Sequence, residues 1–338
     1  MSGPAPIRTA LITGIAGQDG VYLGRLLRSK GYRVVGSATP DSASLHRLLP
    51  YLGGVDVAEV DSRDAGAVRD LVFAVRPDEI YNLAARSSVG ASWHAAELVA
   101  ETNGMAVLRL LEVLLRYRDE HGAAPRFYQA SSSEIFGLAE QQPQDERTPH
   151  YPRSPYGVAK SFAHHLTVNY RESYGLFACN GILFNHESPL RATSFVTRKI
   201  TRSVAEIKCG LREEFSLGNV DAFRDWGAAA DYVQAMWLML QHELPGDYVI
   251  ATGRTHSIRD FVELAFDCAG IDDPWSHVRQ DPAMMRPADV PKTWGDPSRA
   301  ASGLGWRPTT SFRELVAQMV RADITRLRSG TEEDPSLL

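Results

Sequence analysis

Cysteine is scarce in these 338 residues: Cys179, Cys209 and Cys268 are the only three, and they are widely spaced. That spacing excludes a disulfide framework and a zinc-finger ligand set. Positive charge is also short. Lys and Arg number 36 against 41 Asp and Glu, a formal net charge of -5. A chain of that balance has no basic footprint for nucleic acid. Long apolar runs are missing, so no stretch reads as a membrane span, and the opening MSGPAP does not read as a signal peptide. Repeats and low-complexity tracts are missing too. The expectation is a cytoplasmic protein of ordinary composition, 44% hydrophobic and 23% charged. Its length suits one large domain or two unequal ones that share a core.

What is present begins with alternation. Residues 9–13 (TALIT) form an apolar run suited to a buried parallel strand. Gly14, Gly17 and Gly20 follow at once, and VYLGRLLRSKG then reads as a helix ending near Gly31. A strand, a glycine turn and a helix make the setting of a phosphate-binding fingerprint. The glycines let the backbone approach a pyrophosphate, and the helix start offers it free N–H groups. The spacing here is G-x-x-G-x-x-G. Further strands are expected at 32–35, 55–60, 80–83, 126–130 and 177–184, with helical patterns between them, the longest at 97–121. This is an α/β chain with a Rossmann-like, doubly wound parallel sheet. Ligands in such sheets bind at the carboxyl ends of the strands, where Gly14, Asp61, Ala84, Ala85 and residues 131–134 converge.

The segment 129–160 carries the chemistry. QASSSEIFG reads as a strand end bearing hydroxyls and a carboxylate, and SPYGVAK as a helix start with Ser154 as cap and Pro155 in the first turn. Tyr156 and Lys160 are four apart and share a face. An ammonium beside a phenol favours the phenolate, which can take a proton from a sugar hydroxyl. Ser132 can hold the same hydroxyl, and Glu134 adds a second acid/base group.

Beyond residue 184 the regular alternation stops. NHESP (185–189) reads as a loop, FVTRKITRSVAEIKCG as a basic helix, EEFSLGN as a strand and turn, 225–242 as a helix, 248–251 as a strand, 257–269 as a helix, and 312–327 as the last helix. These pieces predict a smaller C-terminal α/β substrate lobe over the carboxyl edge of the sheet. Arg191, Lys199, Arg224 and Arg286 come from different segments of it, and arginine forks suit a diphosphate.

Several separate stretches, SPYGVAK, NGILFNHESP, FVTRKI, FSLGNVDAFRDWG, DYVQAMWLMLQ and RPADV, give the chain a resemblance along nearly its whole length. It resembles the GDP-mannose 4,6-dehydratases of the extended short-chain dehydrogenase/reductase superfamily. The resemblance implies a catalytic set at Ser132, Ser133, Glu134, Tyr156 and Lys160, with serine in place of the family's threonine. It implies cofactor contacts at Gly14, Ile15, Ala16, Gly17, Gln18, Asp19, Gly20, Asp61, Ser62, Leu83, Ala84, Ala85, Ser87, Tyr156, Lys160, His186 and Arg191. Asn185, Lys199, Asn219, Arg224, Arg286 and Asp289 are implied for the GDP-sugar. The implied division is a dinucleotide-binding domain at 1–184 with a return around 222–252, a nucleotide-sugar lobe at 185–221 and 253–330, and a tail at 331–338.

The implied reaction is an internal redox cycle that turns GDP-mannose into a GDP-4-keto-6-deoxyhexose, with no metal. The rivals are another nucleotide-sugar enzyme of this scaffold (epimerase, reductase or decarboxylase) and a silent cofactor-binding regulator. NADP is the family expectation. The arginine pair that follows the family's second strand is absent here, where GSATP stands, so NAD stays open. Arg86, Ser88 and Leu98 also depart from the family pattern. A homodimer is expected through the helices at 97–121 and from Pro155, with Leu108, Leu111 and Leu115 broadening the stripe; a tetramer is second.

Overall fold

The structure is a computed structural model describing residues 7–285 and 288–338. Thr9–Thr13 (β1) leads through the glycine turn into Gln18–Ser29 (α1). Arg33–Ala38 (β2), Ala43–Leu48 (α2), Asp56–Glu59 (β3), Ala65–Val75 (α3) and Glu79–Asn82 (β4) follow. Next come Ala96–Ala100 (α4), Ala106–His121 (α5), Arg126–Ser132 (β5), Pro155–Tyr174 (α6) and Ala178–Leu183 (β6). The remainder contains Asn185–Glu187 (β7), Val196–Lys208 (α7), Phe215–Leu217 (β8), Phe223–Arg224 (β9), Trp226–Ala228 (β10) and Ala229–Gln241 (α8). Asp247–Ile250 (β11), His256–Ser257 (β12), Ile258–Ala269 (α9), Val278–Gln280 (β13), Ser298–Gly303 (α10) and Phe312–Ser329 (α11) complete it.

Seven strands form one parallel sheet in the order β11-β6-β5-β4-β1-β2-β3. A parallel sheet needs cover on both faces, because its crossovers run over them. The strands accordingly read as unbroken buried runs, as in β4 and β6. Leu23, Leu27, Tyr232, Met236 and Met239 of α1 and α8 pack in one core. Val72, Val107, Leu111, Leu114 and Ala163 of α3, α5 and α6 pack in the other. Strand order reverses between β1 and β4, and that switch point opens a crevice at their carboxyl ends. Among the described residues no helix is long and apolar enough to cross a membrane.

A third core joins Ile200 and Val204 of α7 to Phe261 and Phe266 of α9 and to Leu315 and Met319 of α11. Its seam holds a buried charge cluster. Arg198 meets the Asp323 carboxylate at 2.7 Å, and Arg326 meets it at 3.2 Å. Thr201 donates its hydroxyl to Asp323 as well. The guanidinium of Arg198 also reaches the carbonyls of Pro189 and Arg191, and Arg326 reaches that of Pro189. The loop after β7 is thereby fixed to the lobe.

Several expectations need correction. Residues 185–187 are not loop: they form β7 and pair in parallel with β10. The helix expected from 225 starts at Ala229. Asp225 instead faces inward, its carboxylate accepting from the N–H groups of Thr252 and Gly253 and from the Thr252 hydroxyl. The helix expected at 97–121 is broken by a π-helical turn, Glu101–Met105, between α4 and α5. That turn directs Asn103 inward, where its amide bonds both backbone groups of Arg86, at 2.8 and 3.1 Å. Leu111 is fully buried, and Leu108 and Leu115 pack against the same core. Among the exposed apolar side chains, Val158 and Phe162 lie on α6 and Trp93 lies before α4.

Replacing Asp323 by alanine would strand the buried Arg198 guanidinium and leave Arg326 only the Glu333 carboxylate at 3.6 Å. The expected loss is about 3–5 kcal/mol, the usual result of removing one partner from a buried ion pair. Urea unfolding checks it; a loss under about 1 kcal/mol, as for an exposed pair, would show that the cluster is not truly desolvated.

Candidate active site

Gly14 follows β1 at φ +73°, and a Cβ there would stand 2.7 Å from the backbone nitrogen of Ala84. Glycine is required on both counts. The amides of Gly14 and Ile15 donate to the Ser37 carbonyl, and that of Gly17 to Gly14. The amides of Gln18, Asp19 and Gly20 open α1, where a helix has no acceptor for them. They are the donors available to an anion. A cavity of about 760 Å³ lies over them, lined by Gly14, Ala16, Gly17, Gln18, Asp19, Gly20, Asp61, Ser62, Leu83, Ala84, Ala85, Ser87 and Arg191. Of the expected contacts in the glycine turn 14–20, Ile15 alone is missing from this lining. Its side chain is fully buried against Gly36, so it shapes the turn from behind.

Gln18 and Asp19 have partners in the lobe. Gln18 donates to the His186 carbonyl at 3.1 Å and accepts from the Ser188 hydroxyl at 2.7 Å. Asp19 meets His186 Nε2 at 2.8 Å, while His186 Nδ1 lies 2.8 Å from the Phe184 carbonyl. Burial alone would lift the Asp19 carboxyl, but His186, Gln18 and Arg191 outweigh it and hold Asp19 below the usual carboxylate range. Burial likewise pulls His186 down, and the Asp19 carboxylate more than offsets that, raising the imidazole.

The end of β5 turns through Ser133–Ile135, presenting Ser132, Ser133 and Glu134. Ser132 Oγ accepts from the Glu134 N–H at 3.3 Å. Helix α6 starts on the Ser154 cap, whose hydroxyl accepts from the Gly157 N–H at 3.0 Å. It lies so close that a Cβ on Gly157 would sit 2.6 Å from the Glu134 carbonyl. Tyr156 and Lys160 are both buried, and Lys160 Nζ donates to the Ala130 carbonyl at 2.8 Å. That ammonium lies 5.8 Å from the centre of the Tyr156 ring. The Ser132 hydroxyl acts on the phenol as well, in the direction that favours the phenolate.

The expectation of an acidic tyrosine is corrected here. Burial pushes the Tyr156 phenol up to about 12, beyond what Ser132 restores. Burial also pulls Lys160 down to about 8. A low-dielectric site disfavours both charged forms, and here desolvation is the largest influence on each.

A second cavity of about 600 Å³ is lined by Ser132, Ser133, Glu134, Tyr156, Lys160, Asn185, His186, Lys199, Asn219, Arg224 and Asp289. Asp19, Leu83, Ala85, Ser87 and Arg191 face both cavities, which makes one continuous crevice. At its far end Arg224 and Asn219 each reach an Asp289 oxygen at 3.2 Å. Lys199 Nζ is 3.5 Å from the Met284 sulfur, and burial holds its ammonium below the usual lysine range. Arg286 lies outside the described residues.

Sequence reasoning missed three parts of this wall. Glu187 is buried, takes the Thr197 hydroxyl at 2.6 Å and pairs with Arg191 at 3.0 Å, while the Arg191 guanidinium lies 3.7 Å over the Phe195 ring. A glutamate four residues before an arginine was the available signal, hidden because 185–189 read as loop.

A family model described as GDP-mannose 4,6 dehydratase matches residues 11–319. GDP-mannose 4,6 dehydratase 1 of Arabidopsis thaliana is 46% identical over 329 residues, covering 94% of this chain and 90% of its own. Among solved structures, UDP-glucose 4-epimerase of Thermus thermophilus in complex with NAD superposes with a TM-score of 0.80 at 26% identity, covering 93% of this chain and 98% of its own. RMD from Pseudomonas aeruginosa complexed with NADPH superposes at 0.78 with 23% identity, covering 94% and 100%.

The Asp19–His186 pair generates a pH prediction. Asp19 contributes stability above its ordinary 3.8 that is lost as pH falls through its depressed value. His186 contributes fully below its ordinary 6.5 and loses that as pH rises through its raised value. The pair is therefore strongest in mildly acidic solution. The thermal midpoint should decline on the alkaline side in wild type and be flatter in His186→Gln; two parallel profiles would refute the coupling.

Proposed function

The chain belongs to the GDP-mannose 4,6-dehydratase family, and from that premise we propose how its residues carry out the conversion of GDP-mannose to a GDP-4-keto-6-deoxyhexose. The observation that carries the reading is convergence. Ser132, Ser133, Glu134, Tyr156 and Lys160 line one cavity that is continuous with the glycine-turn crevice. Residues 1–184 with 222–252 would serve the dinucleotide, and residues 185–221 with 253–330 the nucleotide-sugar.

The crevice fits a nicotinamide dinucleotide. Glycine at 14 permits backbone approach, the first turn of α1 offers amides to the pyrophosphate, and Arg191 adds a cation at the junction of the two cavities. When bound, the nicotinamide supplies a hydride acceptor for sugar C4 and a hydride donor for C6, so the net reaction is loss of one water. Tyr156 takes the O4 proton as C4 is oxidised, and Ser132 holds that oxygen. Burial keeps the phenol protonated near neutral pH, so its proton must leave under the influence of a nearby cation. Lys160, oriented by the Ala130 carbonyl, is that cation. The resulting C4 ketone acidifies the C5 hydrogen. Glu134 removes that proton and hands one to the departing C6 hydroxyl. Asn185, Lys199, Asn219, Arg224, Arg286 and Asp289 would hold the GDP portion, the cations meeting the diphosphate.

A simple 4-epimerase needs no C5 base, so Glu134 beside Tyr156 favours dehydration over that reading. Purified protein given a panel of GDP-, UDP- and dTDP-hexoses should convert GDP-mannose with loss of one water by mass. Tyr156→Phe should stop the first oxidation. Glu134→Gln should permit it and stall elimination, leaving reduced nicotinamide that absorbs in the near ultraviolet. Each loss should be about 10²–10⁴-fold. A Glu134→Gln enzyme near wild-type rate would remove Glu134 from this role, and an untouched panel would defeat the dehydratase reading.

The same family premise supports a homodimer built on α6. Val158, Phe162 and Trp93 are 56%, 44% and 41% exposed, and they border an apolar hollow of about 790 Å³ with Met105 and Pro155. Together they form one contiguous apolar face beside the start of α6. Light scattering at micromolar concentration should give a dimer mass, reduced to a monomer in Phe162→Glu. A wild-type monomer would defeat the pairing.

A further inference from the structure

The rim of the crevice at the ends of β2 and β3 bears on the choice of dinucleotide. In a doubly wound sheet the carboxyl end of the second strand meets the adenosine ribose, where NADP carries a phosphate and NAD a hydroxyl. A phosphate there wants a cation, and a hydroxyl is met well by a carboxylate.

After β2 the chain runs Thr39, Pro40, Asp41, Ser42, and all four line the crevice. Asp41 is the one ionised side chain in that run. Its backbone is left-handed at φ 53°, a conformation in which aspartate is enriched. Its N–H donates to the Glu59 carboxylate at 3.2 Å, which puts a second negative group beside it at the end of β3. Asp61 lines the next stretch of wall.

The arginines lining this cavity are already engaged or distant. Arg63 forks onto Asp61, with Nε at 3.0 and 3.1 Å from its two oxygens. Arg47 holds the Glu333 carboxylate and the Leu190 carbonyl. Arg191 pairs with Glu187 at 3.0 Å. Arg86 follows β4, which β1 separates from β2, and two strand spacings amount to roughly 10 Å. The charged groups at the β2 and β3 ends are therefore Asp41, Glu59 and Asp61 against Arg63 alone.

We propose that this crevice selects NAD over NADP, with Asp41 accepting hydrogen bonds from the ribose hydroxyls and the carboxylates around it repelling a ribose phosphate. The inference rests on the reading that a nicotinamide dinucleotide occupies the crevice, and it departs from the family expectation of NADP.

Two measurements decide it. Denatured, freshly purified protein should release NAD, identified by chromatography and mass. Calorimetric titration of cofactor-stripped protein should then show NAD binding tighter than NADP by at least about tenfold, the effect of one charge-assisted hydrogen bond. Asp41→Asn keeps the left-handed backbone and should narrow that ratio; Thr39→Arg should narrow it further by supplying a cation. Release of NADP, or NADP binding as tightly as NAD in wild type, overturns the proposal whichever arginine supplies the charge. So does an unchanged ratio in a folded Asp41→Asn protein, as judged by circular dichroism. Bound NAD in a protein that leaves GDP-mannose untouched would instead sink the dehydratase reading and leave this one standing.

Discussion

One contact joins the two halves of the crevice: the Asp19 carboxylate against the His186 imidazole. Asp19 belongs to the first turn of α1 and His186 to β7, 167 positions further along the chain. Each favours the charged form of the other, in surroundings that would otherwise favour neutrality. Gln18 repeats the link one residue earlier through Ser188 and the His186 carbonyl. Behind β7, the Arg198–Asp323–Arg326 cluster grips the carbonyls of Pro189 and Arg191. The position of Arg191 at the junction of the cavities thus follows from charges buried in the lobe. A hydrophobic cluster of the same volume would fill the space but would not specify which carbonyls the loop must present.

The chemistry is likewise set by burial as much as by proximity. Tyr156 and Lys160 share a helix face because they are four residues apart, and that much was visible in SPYGVAK. What spacing could not give is the depth at which α6 sits. Gly157 lets the helix close on the Glu134 carbonyl, and both titratable groups move toward their neutral forms. The pair is therefore poised for transfer of a proton, not for permanent separation of charge.

Legibility in the sequence tracked how local the cause was. The glycine turn, the strand ends and the start of α6 were readable, because steric freedom, apolar runs and a serine cap act within a few residues. β7 was not, since a three-residue strand exists only because β10 lies beside it. The start of α8 was misplaced for a similar reason: Asp225 is claimed by the backbone of residues 252–253. The burial of the Ile15 side chain behind the turn was not readable, because it depends on Gly36 of the next strand. What Arg47 and Arg63 do was not readable, because it depends on Glu333 and Asp61 being there to engage them.

The π-helical turn at Glu101–Met105 has an implication for how this region can vary. It places one extra residue in the path from α4 to α5, and Asn103 uses the widened turn to hold the Arg86 backbone at the crevice edge. An ordinary helix would rotate everything before the turn by about 100° relative to everything after it. Changes of residue identity along 96–121 can be absorbed one side chain at a time. A change of length by one residue cannot, because it would set the apolar face of α5 and the crevice edge against each other. In this stretch the count of residues is more constrained than their kind.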